Sequence, residues 1–221
     1  MTKIAEAIHQ IENQLAGRAT LIAVTKTKPL EALLEAYEAG CKTFGENKVQ
    51  EMADKQANLP DDIAWHMIGH LQTNKVKYIA PFVTLIQSVD SLKLLQEINK
   101  QALKHNRVID CLLQIYIAEE ETKFGLDAAE AEALLNDPAL EELTNIRIIG
   151  LMGLATNTDN EAQIRSEFKS LKRLYDQFKT IQRQNLAFRE LSMGMSGDYL
   201  IAVEEGSTMV RVGSAIFGSR N

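Results

Sequence analysis

A lysine closes an apolar run in this sequence: Thr20-Leu21-Ile22-Ala23-Val24-Thr25 leads into Lys26, and Pro29 follows. In an extended segment Thr20, Ile22, Val24 and Lys26 share a face, so the lysine can point where the apolar residues point. An ammonium turned toward an apolar interior loses hydration. Its pKa falls, and the neutral amine becomes a nucleophile toward an aldehyde. The structural alternative is a lysine snorkelling at a strand end. Lys28 has the same parity but lies beyond the turn, beside Pro29, and is the weaker candidate.

Two Gly/Ser turns near the other end of the chain suit an anion. Ser192-Met193-Gly194-Met195-Ser196-Gly197 runs from a strand-like segment into a helix beginning near Asp198, and Gly213-Ser214 follows a second strand-like segment. Glycine lets the backbone approach a ligand, and first-turn N–H groups with a serine hydroxyl suit a phosphate dianion. A plain helix cap is the alternative for either turn alone. Arg211 shares strand parity with Met209 and stands two residues before the second turn. Its guanidinium only donates hydrogen bonds and stays protonated. Set against a pyridine nitrogen it disfavours ring protonation and leaves a poorer electron sink than a pyridinium.

Other polar residues carry weaker signals. Asn47, in Gly45-Glu46-Asn47, either reaches a ligand hydroxyl or caps the helix that follows. His66 and His70 are four apart, but Gly69 and the strand-like Trp65–Ile68 run argue against a helical metal pair. Lys75 and Lys77 read as a solvated helix face, and Lys123, before Gly125, as a surface residue or the border of a site mouth. Cys41 and Cys111 each flank an apolar run and read as buried, reduced thiols.

The elements that must position these groups follow a regular rhythm. Ile4, Ile8, Ile11 and Leu15 form one helical face, and Leu30, Leu33, Leu34 and Tyr37 form another, with Pro29 as its first helical residue and Gly40 as its stop. Strands are expected at 20–25, 41–45, 64–68, 83–89, 110–117, 146–154, 189–193 and 208–212. The intervening helices are expected at 47–57, 71–80, 91–105, 128–136, 161–184 and 198–205. Eight strands alternating with helices imply parallel pairing and fit a single (β/α)8 TIM barrel over 1–221, with an open doubly wound sheet as the alternative. In such a barrel chemistry gathers at the C-terminal strand ends, and the last two loops often hold phosphate. Lys26, Asn47, Met195, Ser196, Arg211, Gly213 and Ser214 all fall at those ends.

The 221 residues are 45% hydrophobic with a formal net charge of −6, which argues against a general phosphate-backbone binder of nucleic acid. No apolar stretch reaches the roughly 18 residues that span a bilayer. The first residues enter a helical pattern rather than a signal sequence, so the cytoplasm is the expected location.

Several stretches together resemble the pyridoxal phosphate homeostasis protein family, also described as proline synthetase co-transcribed homologues. They are Ala23-Val24-Thr25-Lys26-Thr27-Lys28-Pro29, Phe44-Gly45-Glu46-Asn47, Trp65-His66-Met67-Ile68-Gly69-His70-Leu71-Gln72-Thr73-Asn74-Lys75, Gly150-Leu151-Met152, Leu191 to Asp198 and Gly206 to Gly218. The resemblance implies a barrel similar to the N-terminal domain of alanine racemase, with pyridoxal 5′-phosphate (PLP) as a Schiff base on Lys26. It also implies phosphate contacts from Ser196 and the Gly213-Ser214 turn, with Arg211 near the pyridine nitrogen. Members bind PLP, influence vitamin B6 and amino-acid balance, and are regarded as lacking robust catalysis.

Two functions compete. One is a monomeric PLP-binding regulator or carrier that buffers the aldehyde and delivers it to apo-forms of PLP-dependent enzymes. The other is an amino-acid racemase, which wants acid/base groups on opposite faces of the substrate. In alanine racemase the second base comes from another domain, for which the seven residues after Ser214 leave no room; Tyr199 or a lysine is the substitute to consider.

Overall fold

The computed structural model describes residues 2–118 and 124–218, so Lys123 lies outside the described residues. In chain order the elements are α1 (Lys3–Leu15), β1 (Thr20–Val24), α2 (Leu30–Glu38), β2 (Thr43–Glu46), α3 (Val49–Gln56), β3 (Ala64–Met67), α4 (Val76–Ile79), β4 (Leu85–Val89) and α5 (Leu92–Lys104). They continue with β5 (Ile109–Ile115), α6 (Ala128–Asn136), β6 (Ile146–Gly153), α7 (Glu161–Phe178), β7 (Leu186–Ser192), α8 (Tyr199–Glu204), β8 (Met209–Val212) and α9 (Ser214–Phe217). Neighbouring strands pair in parallel from β1 to β8, and β8 returns to β1 with Thr20 opposite Met209 and Ile22 opposite Arg211. The sheet is a closed eight-stranded barrel, not the open alternative.

The period-2 alternation of the strands sorts their side chains into two compartments. Leu21 and Ala23 of β1, Phe44 of β2, Trp65 and Met67 of β3 and Val210 and Val212 of β8 face the helical layer. Ile8, Ile11 and Leu15 of α1 and Phe168, Leu171 and Phe178 of α7 meet that layer. The leucine, isoleucine, valine, methionine and phenylalanine side chains among them contribute about 1.5–3 kcal/mol each on burial, and Phe44 meets Trp65 edge to face at 5.7 Å. The barrel interior holds a smaller apolar cluster: Ile22, Leu85, Leu112, Ile149, Met152 and Met209. Because the outer layer supplies most of the apolar burial, the upper interior can hold polar groups. Where β6 and β7 come close, Gly150 (φ 156°) is required: a Cβ there would lie 1.7 Å from Glu190 O.

The expected elements are present with shifted ends. Pro29 is the N-cap of α2, in extended conformation, rather than its first helical residue. The helix expected over 71–80 is a 3₁₀ turn at Thr73–Lys75 followed by the single turn of α4. Pro81 lies just beyond Ala80 and, having no backbone N–H to donate, ends the helical run there. The helix expected to run to Gln184 stops at Phe178, and β7 begins at Leu186 rather than Arg189. Among the described residues no helix is long and apolar enough to cross a membrane.

Candidate cofactor site at the strand C-termini

A cavity of about 410 Å³ opens at the C-terminal end of the barrel, within the range of about 300–1,000 Å³ usual for small-molecule sites. Lys26, Asn47, Met195, Ser196, Arg211, Gly213 and Ser214 all line it. The structure thus brings these seven sequence-predicted site residues to one place. Val24, Ile68 and Leu154 supply apolar wall, and Asn157 a further amide.

The groups arrive at the ends of four strands, β1, β2, β7 and β8. Lys26 stands two residues beyond β1, half-buried, on the side that Val24 and Ile22 also face. Asn47 follows β2, but it does not cap α3: Lys48 holds the N-cap position without a side-chain cap bond. Asn47 Oδ1 is instead buried with no hydrogen-bond partner. Close packing fixes this corner, since a Cβ on Gly69 would fall 2.3 Å from Asn47 O.

The β7 and β8 junctions are tied together. The Arg211 N–H donates to Gly194 O at 2.9 Å. Ser196 Oγ accepts from the backbone N–H of Gly213 at 3.1 Å and of Ala215 at 3.3 Å. One hydroxyl therefore sits between the two turns, on N–H groups that an anion would also take. Met195 N donates to Asp198 Oδ1 at 2.5 Å, which closes the turn before α8. Gly194 allows this turn with φ 97°, and a Cβ there would meet Ala202 Cβ at 2.5 Å.

Beneath the cavity a buried polar chain joins Arg211 to His66 through Ser192 and Gln87, a connection the sequence does not show. Arg211 Nη2 donates to Gly153 O at 2.8 Å, and Nη1 donates to Ser192 Oγ. Ser192 donates onward to Gln87 Oε1 at 2.6 Å, and Gln87 Nε2 lies 3.0 Å from His66 Nδ1. A guanidinium can only donate, so each hydrogen in the chain points toward His66. His66 must then accept at Nδ1 and stay neutral. Burial pushes its pKa down to about 4. Burial also lowers Arg211 to about 10, with Asp198 opposing the fall, so it remains a cation at neutral pH. Gln87 lies in an apolar strand without a motif of its own, and only its inward parity with Leu85 gives a signal; Ser192 heads the first Gly/Ser turn, but its contacts with Arg211 and Gln87 are not legible there.

The remaining candidates lie elsewhere or play other parts. His70 diverges from His66 and sits 3.3 Å from Asp90. Tyr199 donates its hydroxyl to Gln14 of α1 and is not among the residues lining the cavity. Lys28 lines the cavity edge, its Nζ donating to the carbonyls of Phe217 at 3.0 Å and Gly218 at 3.4 Å. Cys41 and Cys111 are buried and unbridged, and burial raises Cys41 to about 11.

Comparison with known proteins places this geometry. The family model described as "Alanine racemase, N-terminal domain" matches residues 1–221. A pyridoxal phosphate homeostasis protein of Aquifex aeolicus is 40% identical over 226 residues, covering 99% of this chain and 97% of the relative. The solved structure of PipY from Synechococcus elongatus with PLP bound superposes with a TM-score of 0.87 at 37% identity, covering 97% of this chain and 100% of that one. Alanine racemase of Bartonella henselae shares the fold at a TM-score of 0.73 and 17% identity, covering 98% of this chain and 58% of that enzyme. The chain belongs to the alanine racemase N-terminal domain family and, within it, to the pyridoxal phosphate homeostasis proteins.

Proposed function

We propose that this chain holds PLP as a Schiff base on Lys26 and serves PLP and amino-acid homeostasis as a carrier or regulator without robust catalysis. The observation that carries this reading is the convergence of Lys26, Arg211 and the Ser196–Gly213 pair on one cavity. The names of the relatives and the PLP-bound PipY structure support it.

The residues fit the group. Lys26 supplies the amine for the aldehyde, and Ser196 with the Gly213-Ser214 turn supplies donors for the phosphate, Met195 lying alongside. Arg211 would face the pyridine nitrogen and keep it unprotonated. The buried, unpartnered Oδ1 of Asn47 is ready to accept a hydrogen bond from the ring hydroxyl. When bound, PLP supplies a reactive aldehyde on an electron-withdrawing ring.

The absence of robust catalysis rests on the acid/base inventory. Among the described residues, the titratable ones lining the cavity are Lys26, Lys28 and Arg211, all basic, and Lys28 is engaged with backbone carbonyls. Tyr199, the racemase substitute, is turned to Gln14. Delivery to apo-enzymes, a monomeric state and cytoplasmic residence belong to the same reading. The test is turnover: the PLP-loaded protein is incubated with single amino-acid enantiomers and optical inversion is followed. The carrier reading expects no rapid inversion; fast inversion that vanishes in Lys26→Ala would establish a racemase instead. PLP transfer to an apo-enzyme faster than release into a trapping reagent would mark directed delivery.

A further inference from the structure

An ionic cluster stands behind the barrel wall, on the opposite side of β1 from the cavity. Lys55 of α3 is 6% exposed and Glu46 of β2 fully buried. The Lys55 ammonium donates to Glu46 Oε1 at 2.7 Å, to Glu51 Oε1 at 2.6 Å and to the Thr25 carbonyl at 2.7 Å. These three contacts match its three hydrogens. Thr25 Oγ1 donates to Glu46 Oε1 at 2.5 Å, and the Thr27 N–H donates to Glu51 Oε1 at 2.5 Å. The cluster thus grips the residue before Lys26 and the residue after it.

The grip works against a local preference. Thr27 has φ 63°, a conformation in which a β-branched residue is an outlier. Buried ion pairs add little net stability compared with apolar residues of the same volume. What this cluster adds is geometry: it fixes the direction in which the chain leaves β1, and so where the Lys26 side chain is aimed. Amine and phosphate donors sit on different loops, and a reacting group misplaced by about 1 Å can lose about 100-fold in rate.

We propose that Glu46, Lys55 and Glu51 are positioning residues that clamp the peptides flanking Lys26 and set the aim and reactivity of its amine. This rests on the reading of Lys26 as the attachment point for PLP.

The test uses the full chain and two readouts. In the PLP-free protein, trace acetylation with acetic anhydride is followed by peptide mapping, with exposed Lys93 as internal reference. In parallel, added PLP is trapped on Lys26 by borohydride as a function of time. Loosening the clamp by Glu51→Ala or Lys55→Met should raise Lys26 acetylation about threefold and slow PLP capture about tenfold, because the freed amine meets solvent more often and the phosphate turn less often. Glu51→Gln keeps an oxygen for the Thr27 N–H and should stay near wild type in both. If Lys55→Met fails to fold, Glu51→Ala carries the test, since the Glu51 side chain is 22% exposed. Wild-type acetylation and capture in Glu51→Ala, or equal losses in Glu51→Ala and Glu51→Gln, would overturn the proposal. Acetylation needs no PLP, so a failure of Lys26 to take up the cofactor is read separately.

Discussion

Acidification should expose the polarity of the chain beneath the cavity, and His66→Gln is the perturbation that isolates it. In the native state His66 is buried and accepts from Gln87, which itself receives the Ser192 hydroxyl hydrogen. Protonating Nδ1 would set two donors face to face. Burial holds the native imidazole neutral until about pH 4, against an ordinary value of 6.5. The unfolded chain takes up that proton near its ordinary value, so it binds more protons than the native state within this window. Stability then rises with pH: the His66 contribution is complete above about pH 6.5 and disappears as the pH falls through about 4. The gap corresponds to roughly 3 kcal/mol. Gln at position 66 can still accept from Gln87 but does not titrate. Urea denaturation at pH 7 and pH 4.5 should show the wild type losing roughly 2–3 kcal/mol more than His66→Gln. Other carboxylates titrate in both proteins and cancel in the comparison. Parallel losses would refute the reasoning and mean that His66 is protonated without breaking the chain.

Two further substitutions separate the scaffold from the site. Gly194→Ala combines φ 97° with a Cβ 2.5 Å from Ala202 Cβ, and should cost about 2–3 kcal/mol in denaturation while distorting the Ser196 turn; an unchanged midpoint would mean that the turn relaxes freely. Ser196→Ala removes the hydroxyl shared by Gly213 N and Ala215 N, and should weaken PLP binding about tenfold but leave unphosphorylated pyridoxal within about twofold. Equal losses for the two aldehydes, measured by absorbance titration, would remove Ser196 from the phosphate site.

The legible parts of this molecule are those whose chemistry is periodic or concentrated. Eight strands stood out because their helix-facing positions are apolar, as with Leu21 and Ala23 or Val210 and Val212, and glycines and prolines punctuate the turns. Closure was expected only by counting units, since alternation is equally compatible with an open sheet. The 3₁₀ turn at Thr73–Lys75 is hidden because no glycine or proline separates it from the helical turn at Val76–Ile79. At the site, Lys26, Arg211 and the two Gly/Ser turns carry reactive or anion-binding groups, and the barrel principle says where such groups converge. The link between Ser192 and Gln87 is not legible locally, because a neutral amide and a hydroxyl gain this meaning only from a contact across 105 positions. Lys55 and Glu51 carry no local signal beyond an i, i+4 spacing on α3. Their position against the Lys26 loop depends on the packing of α3 against β2 and β3, which no local pattern encodes.

The most direct test of the central claim is borohydride reduction of the PLP-treated protein, followed by intact mass and peptide mapping. The account predicts one pyridoxyl phosphate group, on the peptide containing Lys26, and none on Lys26→Ala under the same conditions. A label of equal extent on another lysine, or an undiminished label in Lys26→Ala, would contradict it.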